Sequence, residues 1–287
     1  MKLGIIGAEN SHARQIATVL NIRKCVPGFR VTHIWGEKPE FAQATAETCQ
    51  IPHIVRRPRE MLGAVDCVMV DHRDGKHHVK AALPFIDAGL PCFIDKPLST
   101  SLEEAKAVLA RRKETGAPVT TFSSLPLHSS IPSLKKELKK LGNLKAIHLH
   151  GEAEYKSPYS GIYFYGIHTV ALMVELLGRD VQSVEMTTNG DACTTVCHYP
   201  GELTATVTLV PDLSNWCVSA VGSQGIFQHE MAREADPYLK TARIVTKMFR
   251  TRKEPFGDEW MLGPLAVLEA MKKSLARRKL VAVPSIG

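Results

Sequence analysis

The first 122 residues alternate between short apolar runs and segments with helical periodicity. Runs such as Leu3–Ile6 and "CVMV" (67–70) are apolar at every position, and a helix-like segment follows each of them. Strands that are apolar on both faces are typical of parallel sheets covered by helices on both sides. We therefore predict five parallel strands, at 3–6, 31–35, 67–70, 91–95 and 117–122, and four helices, at 11–20, 39–49, 79–88 and 102–115.

The remainder of the chain has a different pattern. Strand-like stretches such as "ACTTVCHY" and "ELTATVTLV" are separated by turn signals, Asn-Gly at 189–190 and Pro-Gly at 200–201. A final helix is predicted at about 260–277. With 287 residues, the chain suits two domains, which we place at 1–122 and 123–287.

Composition limits the class of protein. Hydrophobic content of 44% with 23% charged residues is that of a soluble globular chain, and no run approaches the roughly 18 apolar residues of a membrane span. The apolar start is too short for a signal peptide. The seven cysteines are scattered singly, which favours reduced thiols and a cytoplasmic location. The net charge of +7 is spread over helix-like segments, so we expect solvated helix faces and no nucleic-acid partner.

The stretch "GAENSHA" lies where a ligand of such a sheet would bind, just beyond the first strand. A dinucleotide-binding turn reads G-x-G-x-x-G, but Glu9 and His12 replace the second and third glycines. A carboxylate about 4 Å from a phosphate would cost up to about 4 kcal/mol, unless it turns to solvent or a basic group neutralises it. Side chains at this turn could replace glycine backbone contacts. The candidates for cofactor binding here are Gly7, Ala8, Glu9, Asn10, Ser11 and His12.

The second and third strands end in further candidates. Gly36 and Glu37 follow the second strand, where a carboxylate would hold the ribose hydroxyls of NAD. Lys38 could instead meet the 2′-phosphate of NADP, and a plain turn before a helix also fits. The loop "DHRDGKHH" (71–78) follows the third strand, so Asp71 and His72 are cofactor candidates, with a charged surface loop as the alternative.

Two landmarks further along the chain carry a family resemblance. Residues 64–108, "AVDCVMVDHRDGKHHVKAALPFIDAGLPCFIDKPLSTSLEEAKAV", contain His77 or His78, then Ala-Gly, then Asp95-Lys96-Pro97. The stretch "GIYFYGIHTVALMVELLG" (161–178) contains Gly166 and His168. This pattern resembles the Gfo/Idh/MocA family of NAD(P)-dependent oxidoreductases, with Asp95 in place of a glutamate. Two aspartate positions of that family's second landmark hold Phe164 and Ala171 here.

The resemblance implies a fold and a set of roles. It implies an N-terminal Rossmann domain with a doubly wound parallel sheet, and a C-terminal α+β domain with a large, mainly antiparallel open sheet. It implies NAD or NADP as cofactor, a small polar substrate such as a sugar or inositol, and association into a homodimer or higher homo-oligomer through the C-terminal sheet. Lys96 and His168 would be the catalytic residues near the substrate, and Asp95 would lie at the cofactor.

Other polar residues could contact a substrate. In "IHLHGEAEY", His148, His150, Glu152 and Glu154 alternate, so all four face one side of a strand. A divalent metal, polar substrate contacts and a wet or subunit-facing surface all fit this pattern, and we assign no metal. Additional substrate candidates are His150, Glu152, Tyr163 and Tyr165.

Two functions remain open from the sequence. Lys96, Pro97 and His168 favour a dehydrogenase acting on CH–OH groups of a polyhydroxylated substrate. The broken glycine turn and the absent aspartates favour a non-catalytic protein of the same fold that binds a ligand or regulates. The residues present favour the dehydrogenase.

Overall fold

The structure is a computed structural model that describes residues 1–287. It divides into two compact units. The first unit comprises Met1–Phe122 and Asp236–Met261, and the second comprises Ser123–Ala235 and Leu262–Gly287. None of the helices combines the length and the hydropathy that a membrane-spanning segment needs.

The first unit contains a six-stranded parallel sheet. Its strands are β1 (Lys2–Ile6), β2 (Arg30–Trp35), β3 (His53–Ile54), β4 (Cys67–Val70), β5 (Cys92–Ile94) and β6 (Val119–Thr120). They are ordered β3-β2-β1-β4-β5-β6, and every neighbouring pair is parallel. This is the doubly wound order, in which the chain reverses direction beside β1 and opens a crevice between β1 and β4.

Helices connect these strands. They are α1 (Ser11–Ala17, continued by a π-helical turn at Thr18–Ile22), α2 (Pro39–Cys49), α3 (His78–Asp87) and α4 (Leu102–Thr115). Their starts follow ordinary capping chemistry, because the Asn10 side chain accepts from the His12 N–H and Ser101 accepts from the Glu104 N–H. The four predicted helices and five predicted strands are all present, and β3 is an additional short edge strand.

The second domain, predicted as 123–287, differs from the second unit. Helix α7 (Pro237–Thr251) belongs to the first unit, because its apolar face, including Val245 and Phe249, is buried there. The Arg112 guanidinium of α4 pairs with Glu254 and Asp258 just beyond that helix. A buried cation needs opposite charges, and this segment supplies two.

The second unit is built on a mixed seven-stranded sheet. Its strands are β7 (Leu144–Glu152), β8 (Ser183–Asn189), β9 (Ala192–His198), β10 (Thr204–Val210), β11 (Trp216–Gly222), β12 (Gly225–Met231) and β13 (Val281–Ala282). The order is β12-β11-β7-β10-β9-β8-β13, and only the pair of β7 with β10 is parallel. The predicted fold class, a parallel Rossmann-like sheet followed by a mainly antiparallel sheet, is confirmed.

Helices cover one face of this sheet. The unit contains α5 (Ile131–Lys140), α6 (Gly166–Leu177) and most of α8 (Asp258–Arg277). A Cβ at Gly151 would lie 1.9 Å from the Thr169 hydroxyl of α6, so that face of β7 lies directly under α6. Because side chains alternate along a strand, His150 and Glu152 lie on the opposite, open face.

Candidate active site

The carboxyl ends of β1, β2, β4 and β5 gather the predicted cofactor residues of the first unit. Parallel strands end at the same edge, so the loops that follow them share one crevice. The residues brought together are Gly7, Ala8, Glu9, Asn10, Ser11, His12, Gly36, Glu37, Lys38, Asp71, His72, Asp95 and Lys96.

Two glycines let these loops approach one another. Gly7 has φ of +104°, and a Cβ there would lie 2.5 Å from the backbone nitrogen of His72. At Gly36 a Cβ would come within 3.0 Å of the Ala8 side chain. Position 7 therefore requires glycine, and a Cβ at Gly36 would have to displace its neighbours, although the rest of the glycine pattern is absent.

The Glu37 carboxylate binds the turn after β1. Its Oε2 accepts hydrogen bonds from the N–H groups of Ala8 (2.9 Å) and Glu9 (3.0 Å), and its Oε1 accepts from His72 Nδ1 at 2.8 Å. Burial raises the pKa of Glu37, but the His72 and backbone hydrogen bonds outweigh it and hold the pKa at about 2. Glu37 is therefore an anion at any physiological pH.

Glu9 has a basic neighbour. Arg73, on the loop after β4, places a guanidinium nitrogen 3.8 Å from the Glu9 carboxylate, and both side chains are partly exposed. The pair spans the β1 and β4 loops. The negative charge of Glu9, which would repel a phosphate at this turn, is thus offset by the Arg73 cation. Neutralisation by a basic group is one of the two conditions under which the sequence analysis allows a phosphate to bind here.

Asn10 and His12 both reach the carboxylate that follows β5. Asn10 Nδ2 donates to Asp95 Oδ2 at 2.9 Å, and His12 Nδ1 lies 3.1 Å from both Asp95 oxygens. Burial raises the pKa of Asp95, but the charge and hydrogen bond of His12 and the charge of Lys96 lower it overall. Since the Asn10 side chain also caps α1, its amide is committed within the protein.

Lys96 lies at the end of β5 and is only 6% exposed. The carbonyl of the next residue, Pro97, lies 2.7 Å from His78 Nδ1, and the other nitrogen of that ring lies 2.9 Å from the His72 carbonyl. His78 therefore joins the segment after β5 to the loop after β4. Burial lowers the pKa of His78, against the opposing charge of Asp95.

Asp71 is the third carboxylate of this crevice. It is fully buried, and neither side-chain oxygen has a hydrogen-bond partner. Burial raises its pKa well above the ordinary value, and the negative charges of Asp95 and Glu37 add to the effect. Asp71 therefore holds its proton far more strongly than Glu37 or Asp95.

In the second unit, His168 lies in the first turn of α6 and is half-buried. Its Nδ1 lies 2.8 Å from the Ser123 hydroxyl, which in turn accepts from the Leu125 N–H. The Tyr165 ring lies 5.4 Å away and the Trp216 ring 6.0 Å away. Ser123 and these rings hold the imidazole in one orientation.

Residues 1–123 match the Gfo/Idh/MocA model, described as an oxidoreductase family with a NAD-binding Rossmann fold. The matched segment covers the crevice described above, including Lys96 and every predicted cofactor residue. The first 123 residues therefore resemble the NAD-binding domain of this family.

Relatives and solved structures agree with that placement. The chain is similar to inositol 2-dehydrogenase of Paracoccus denitrificans, with 31% identity over 40% of this chain and 34% of that protein. It is 28% identical to the uncharacterized oxidoreductase YhhX of Escherichia coli, over 49% of this chain and 45% of that protein. The matched segments thus span less than half the length of these relatives. Myo-inositol dehydrogenase from Lactobacillus casei, solved with NAD(H) and myo-inositol, shares the fold with a TM-score of 0.82 and 17% identity, covering 100% of this chain and 98% of that one.

Several positions singled out in the second unit lie away from His168. His150 and Glu152 lie on the open face of the sheet, opposite to α6, and His150 stacks on the His148 ring. Tyr163 is 1% exposed, and burial raises the pKa of its phenol, so its hydroxyl lies in the core. Of the four additional substrate candidates, only Tyr165 lies beside His168.

The two family aspartate positions have apolar surroundings here. Phe164 packs against the rings of Tyr159 and Tyr165, and Ala171 is buried in α6. Glu175, further along the same helix, pairs with Lys135 at 2.5 Å. His168 therefore takes its orientation from the Ser123 hydroxyl rather than from these positions.

Three site residues were missed or left undecided by sequence reasoning. Ser123 lies just after β6, and its contact with His168 joins residues 45 positions apart. Of the two histidines in the ambiguous register, His78 is the buried one that contacts the Pro97 carbonyl. Tyr238 lies with its ring 5.6 Å from His12, on the helix that returns to the first unit. No group of three His, Cys, Asp or Glu side chains is placed to hold a metal ion.

Proposed function

We propose that the protein is a NAD-dependent dehydrogenase that oxidises a secondary alcohol of a small polyhydroxylated molecule, such as an inositol or a sugar. One observation carries the proposal: a fixed anion, Glu37, and a buried lysine, Lys96, end two strands of the same Rossmann sheet, on either side of the tight turn at Gly7. Glu37 is suited to bind a ribose, and Lys96 is suited to exchange a proton with a substrate hydroxyl.

The residues of the crevice fit the cofactor. When bound, NAD supplies the carbon that accepts a hydride. Gly7 allows the turn after β1 to pass against the His72 backbone, which a Cβ at that position would prevent, and this turn is where a diphosphate would bind. The exposed Ser11 hydroxyl and the Arg73 guanidinium offer a donor and a positive charge for the phosphates.

Glu37 favours NAD over NADP. Its carboxylate keeps its charge, with a pKa of about 2, and its side chain is 22% exposed, so a 2′-phosphate at the ribose would meet a fixed anion. Like charges about 4 Å apart repel by about 4 kcal/mol at an effective dielectric of 20. Lys38 is exposed and lies over the Phe41 ring, so it offers only a weak counter-charge.

Lys96 is the proposed acid–base residue. In the oxidising direction its neutral amine takes the proton of the substrate hydroxyl as the C–H bond gives up a hydride, and the alcohol carbon becomes a carbonyl. In the reducing direction the ammonium returns that proton. The position of Lys96, buried and beside two carboxylates, is the kind of site in which lysine pKa values are tuned.

His168 is the second proposed catalytic residue. Its imidazole is oriented by Ser123, which suits a group that must hydrogen-bond a substrate hydroxyl in one direction. Tyr165, whose ring lies 5.4 Å away, is the proposed neighbouring substrate contact. His150 and Glu152 are left out of this site because they lie on the open face of the sheet.

The substrate class follows from the relatives. Two inositol 2-dehydrogenases share 31% identity with this chain over 40% of its length. The imidazole of His168, the phenol of Tyr165 and the ammonium of Lys96 are each suited to a polyol, because each can exchange a hydrogen bond with a hydroxyl group.

We also propose a homo-oligomer formed through the open face of the second unit's sheet. That face carries hydrogen-bonded polar groups, with His148 Nε2 2.9 Å from the Thr208 hydroxyl, which lies 3.2 Å from that of Thr194. Sedimentation equilibrium tests this proposal. A monomer at micromolar concentration would contradict it.

A binding titration and a turnover assay test the function. Trp35 ends β2 with its ring 5.5 Å from that of His72, so its fluorescence reports directly on the crevice. We expect micromolar binding of NADH and weaker binding of NADPH, followed by NAD reduction with one member of a panel of inositols, sugars and sugar acids. Lys96→Met should abolish turnover and keep NADH binding, while the exposed Lys80→Met should change neither.

Three results would overturn the proposal. Absence of binding of either nucleotide up to millimolar concentration would exclude the dehydrogenase. Binding without turnover of any substrate, or turnover that Lys96→Met leaves intact, would favour the non-catalytic alternative or a different catalytic group.

A further inference from the structure

His12 contacts a carboxylate far along the chain. It stands where the fingerprint has its third glycine, and its Nδ1 lies 3.1 Å from both oxygens of Asp95, 83 positions further along the chain. The contact joins the turn after β1 to the segment after β5. A glycine at position 12 would leave Asp95 without this partner.

Asp95 depends on two donors from that turn. The Asn10 amide donates to Oδ2 at 2.9 Å, and His12 Nδ1 contacts both oxygens. The Asp95 side chain is 4% exposed, whereas that of His12 is 29% exposed. A buried carboxylate stays ionised only when donors or positive charges compensate for the lost water.

Lys96 interacts with the same carboxylate. The adjacent residues Asp95 and Lys96 are 3% and 6% exposed, and their charges interact strongly enough to lower the pKa of the carboxyl group. The contact of His12 with Asp95 offsets part of the carboxylate charge and so weakens the attraction between Asp95 and the Lys96 ammonium. The imidazole and the ammonium therefore compete for one carboxylate.

Every charged group that faces Asp95 takes part in this balance. His12 approaches from α1, His78 from α3, and Lys96 follows Asp95 in the chain. Asp71 faces it from β4, and Tyr238 from α7. Burial raises the pKa of both Asp71 and Tyr238, which favours their neutral forms, so the positive charges that offset the carboxylate come from His12, His78 and Lys96.

We propose that His12 is a positioning residue for Lys96, acting through the Asp95 carboxylate that it and Asn10 hold in place. The proposal rests on the proposed dehydrogenase function for its kinetic consequence, but the effect on Lys96 does not require turnover. His12 is thus an addition of this chain that connects the turn at the cofactor to the acid–base group.

The effect of removing His12 has a definite direction. Without the imidazole, the Asp95 anion loses one of its partners and interacts more fully with Lys96. An ammonium beside a less compensated carboxylate holds its proton to higher pH. The fraction of neutral amine at a given pH falls, so the acid limb of the rate profile for alcohol oxidation moves to higher pH.

The variants follow from the geometry. His12→Phe keeps a ring against Tyr238 but removes the donor, and His12→Asn places an amide nitrogen close to the position of Nδ1. His53→Gln, on the exposed edge strand β3, is the control for loss of a histidine. Each is made in the full chain, and folding is checked by its unfolding midpoint in urea.

Two independent readouts separate this proposal from the proposed function. The first is the titration midpoint of Lys96, followed by ¹³Cε-lysine NMR with the Lys96 signal assigned from its absence in Lys96→Met. The second is the pH profile of kcat/KM for NAD reduction. In His12→Phe we expect the Lys96 midpoint to rise by about one pH unit, in line with the change expected for loss of a charged-group hydrogen bond. The acid limb should move with it, and His12→Asn should restore both toward the parent values.

The outcomes are distinct. A Lys96 midpoint that is the same in the parent and in folded His12→Phe overturns the positioning role, whether or not the protein turns over a substrate. A shifted midpoint without any turnover upholds the positioning role and contradicts the dehydrogenase. If His12→Phe does not fold, His12→Gly, which also removes the donor, takes its place: a Lys96 midpoint raised by about one unit supports the positioning role, and an unchanged midpoint overturns it.

Discussion

The Glu37 carboxylate and the His72 imidazole lie 2.8 Å apart, and this contact joins the ends of β2 and β4 across the crevice of the first unit. The other oxygen of the same carboxylate binds two backbone N–H groups of the turn after β1. One side chain therefore ties three loops together, and it does so at the position expected to read a ribose.

Replacing Glu37 by glutamine tests its part in cofactor choice. The amide keeps the shape but loses the charge and, with it, strong acceptance from ribose hydroxyls. We expect the Kd for NADH to rise at least tenfold, the effect of losing a hydrogen bond to a charged group. The ratio of the NADPH Kd to the NADH Kd should fall in this variant, and quenching of Trp35 fluorescence measures both constants. Glu40→Gln, in the exposed first turn of α2, should leave both constants unchanged.

Replacing Asp71 by asparagine tests the state of the buried carboxyl group. Because its pKa is raised on folding, the folded chain holds a proton that the unfolded chain releases, so the free energy of unfolding falls as the pH rises above about 4. Each pH unit in that window removes about 1.4 kcal/mol. Asparagine does not titrate, so Asp71→Asn should gain stability relative to the parent as the pH rises above about 4, measured by urea unfolding. The exposed Asp87→Asn should show no such gain, and a parallel pH dependence in parent and Asp71→Asn would contradict the assignment.

Replacing Glu9 by glycine tests whether the departure from the glycine pattern is tolerated or used. The Arg73 guanidinium lies 3.8 Å from Glu9, so the carboxylate is already partly offset. We expect Glu9→Gly to leave the NADH Kd unchanged or lower it, and Arg73→Ala to raise it more at low than at high salt. A large loss of affinity in Glu9→Gly would mean that Glu9 itself contacts the cofactor.

Replacing Arg112 by methionine tests what keeps 236–261 in the first unit. The guanidinium is buried and pairs with Glu254 and Asp258, so its loss leaves two carboxylates facing an apolar side chain. Breaking a buried pair in this way costs about 3–5 kcal/mol of unfolding free energy. The neighbouring Arg111→Met, which removes only exposed ion pairs, should shift the urea midpoint little. Equal effects of the two variants would contradict a structural role for the buried contact.

Local pattern predicted the strands and helices of the first 122 residues because each apolar strand is followed by a capped, periodic helix. The place of helix α7 in the first unit was not predicted. Its basic residues indicate a solvated helix face, and the sequence does not show which element packs against its apolar face. The residues at the carboxyl ends of the strands were found by the same logic, since strand ends in a parallel sheet converge. Which of them touch was not predictable: His12 meets Asp95, and Glu37 meets the turn after β1, through contacts separated by 83 and by 28 or 29 positions.

The alternation of side chains along a strand is likewise a limited guide to contacts. Alternation places His148, His150 and Glu152 on one side of β7, but it does not say which side a helix covers. Gly151 decides this, because only a residue without a Cβ fits under Thr169 of α6. The signal was present in the sequence as a glycine inside a strand, which often marks a close approach of another element.

The return of α7 to the first unit affects the order in which the chain can fold as it is made. By the time Phe122 has been synthesised, all six strands of the parallel sheet are complete. Helix α7, with its buried Val245 and Phe249, is synthesised later, and so are the two carboxylates that pair with Arg112; the first unit is complete only at Met261. At synthesis rates of about 5–20 residues per second, the nascent sheet waits on the order of ten seconds for its last helix. During that interval the surface that α7 covers is open to water and to other nascent chains, and it is there that a chaperone holding this protein would be expected to bind.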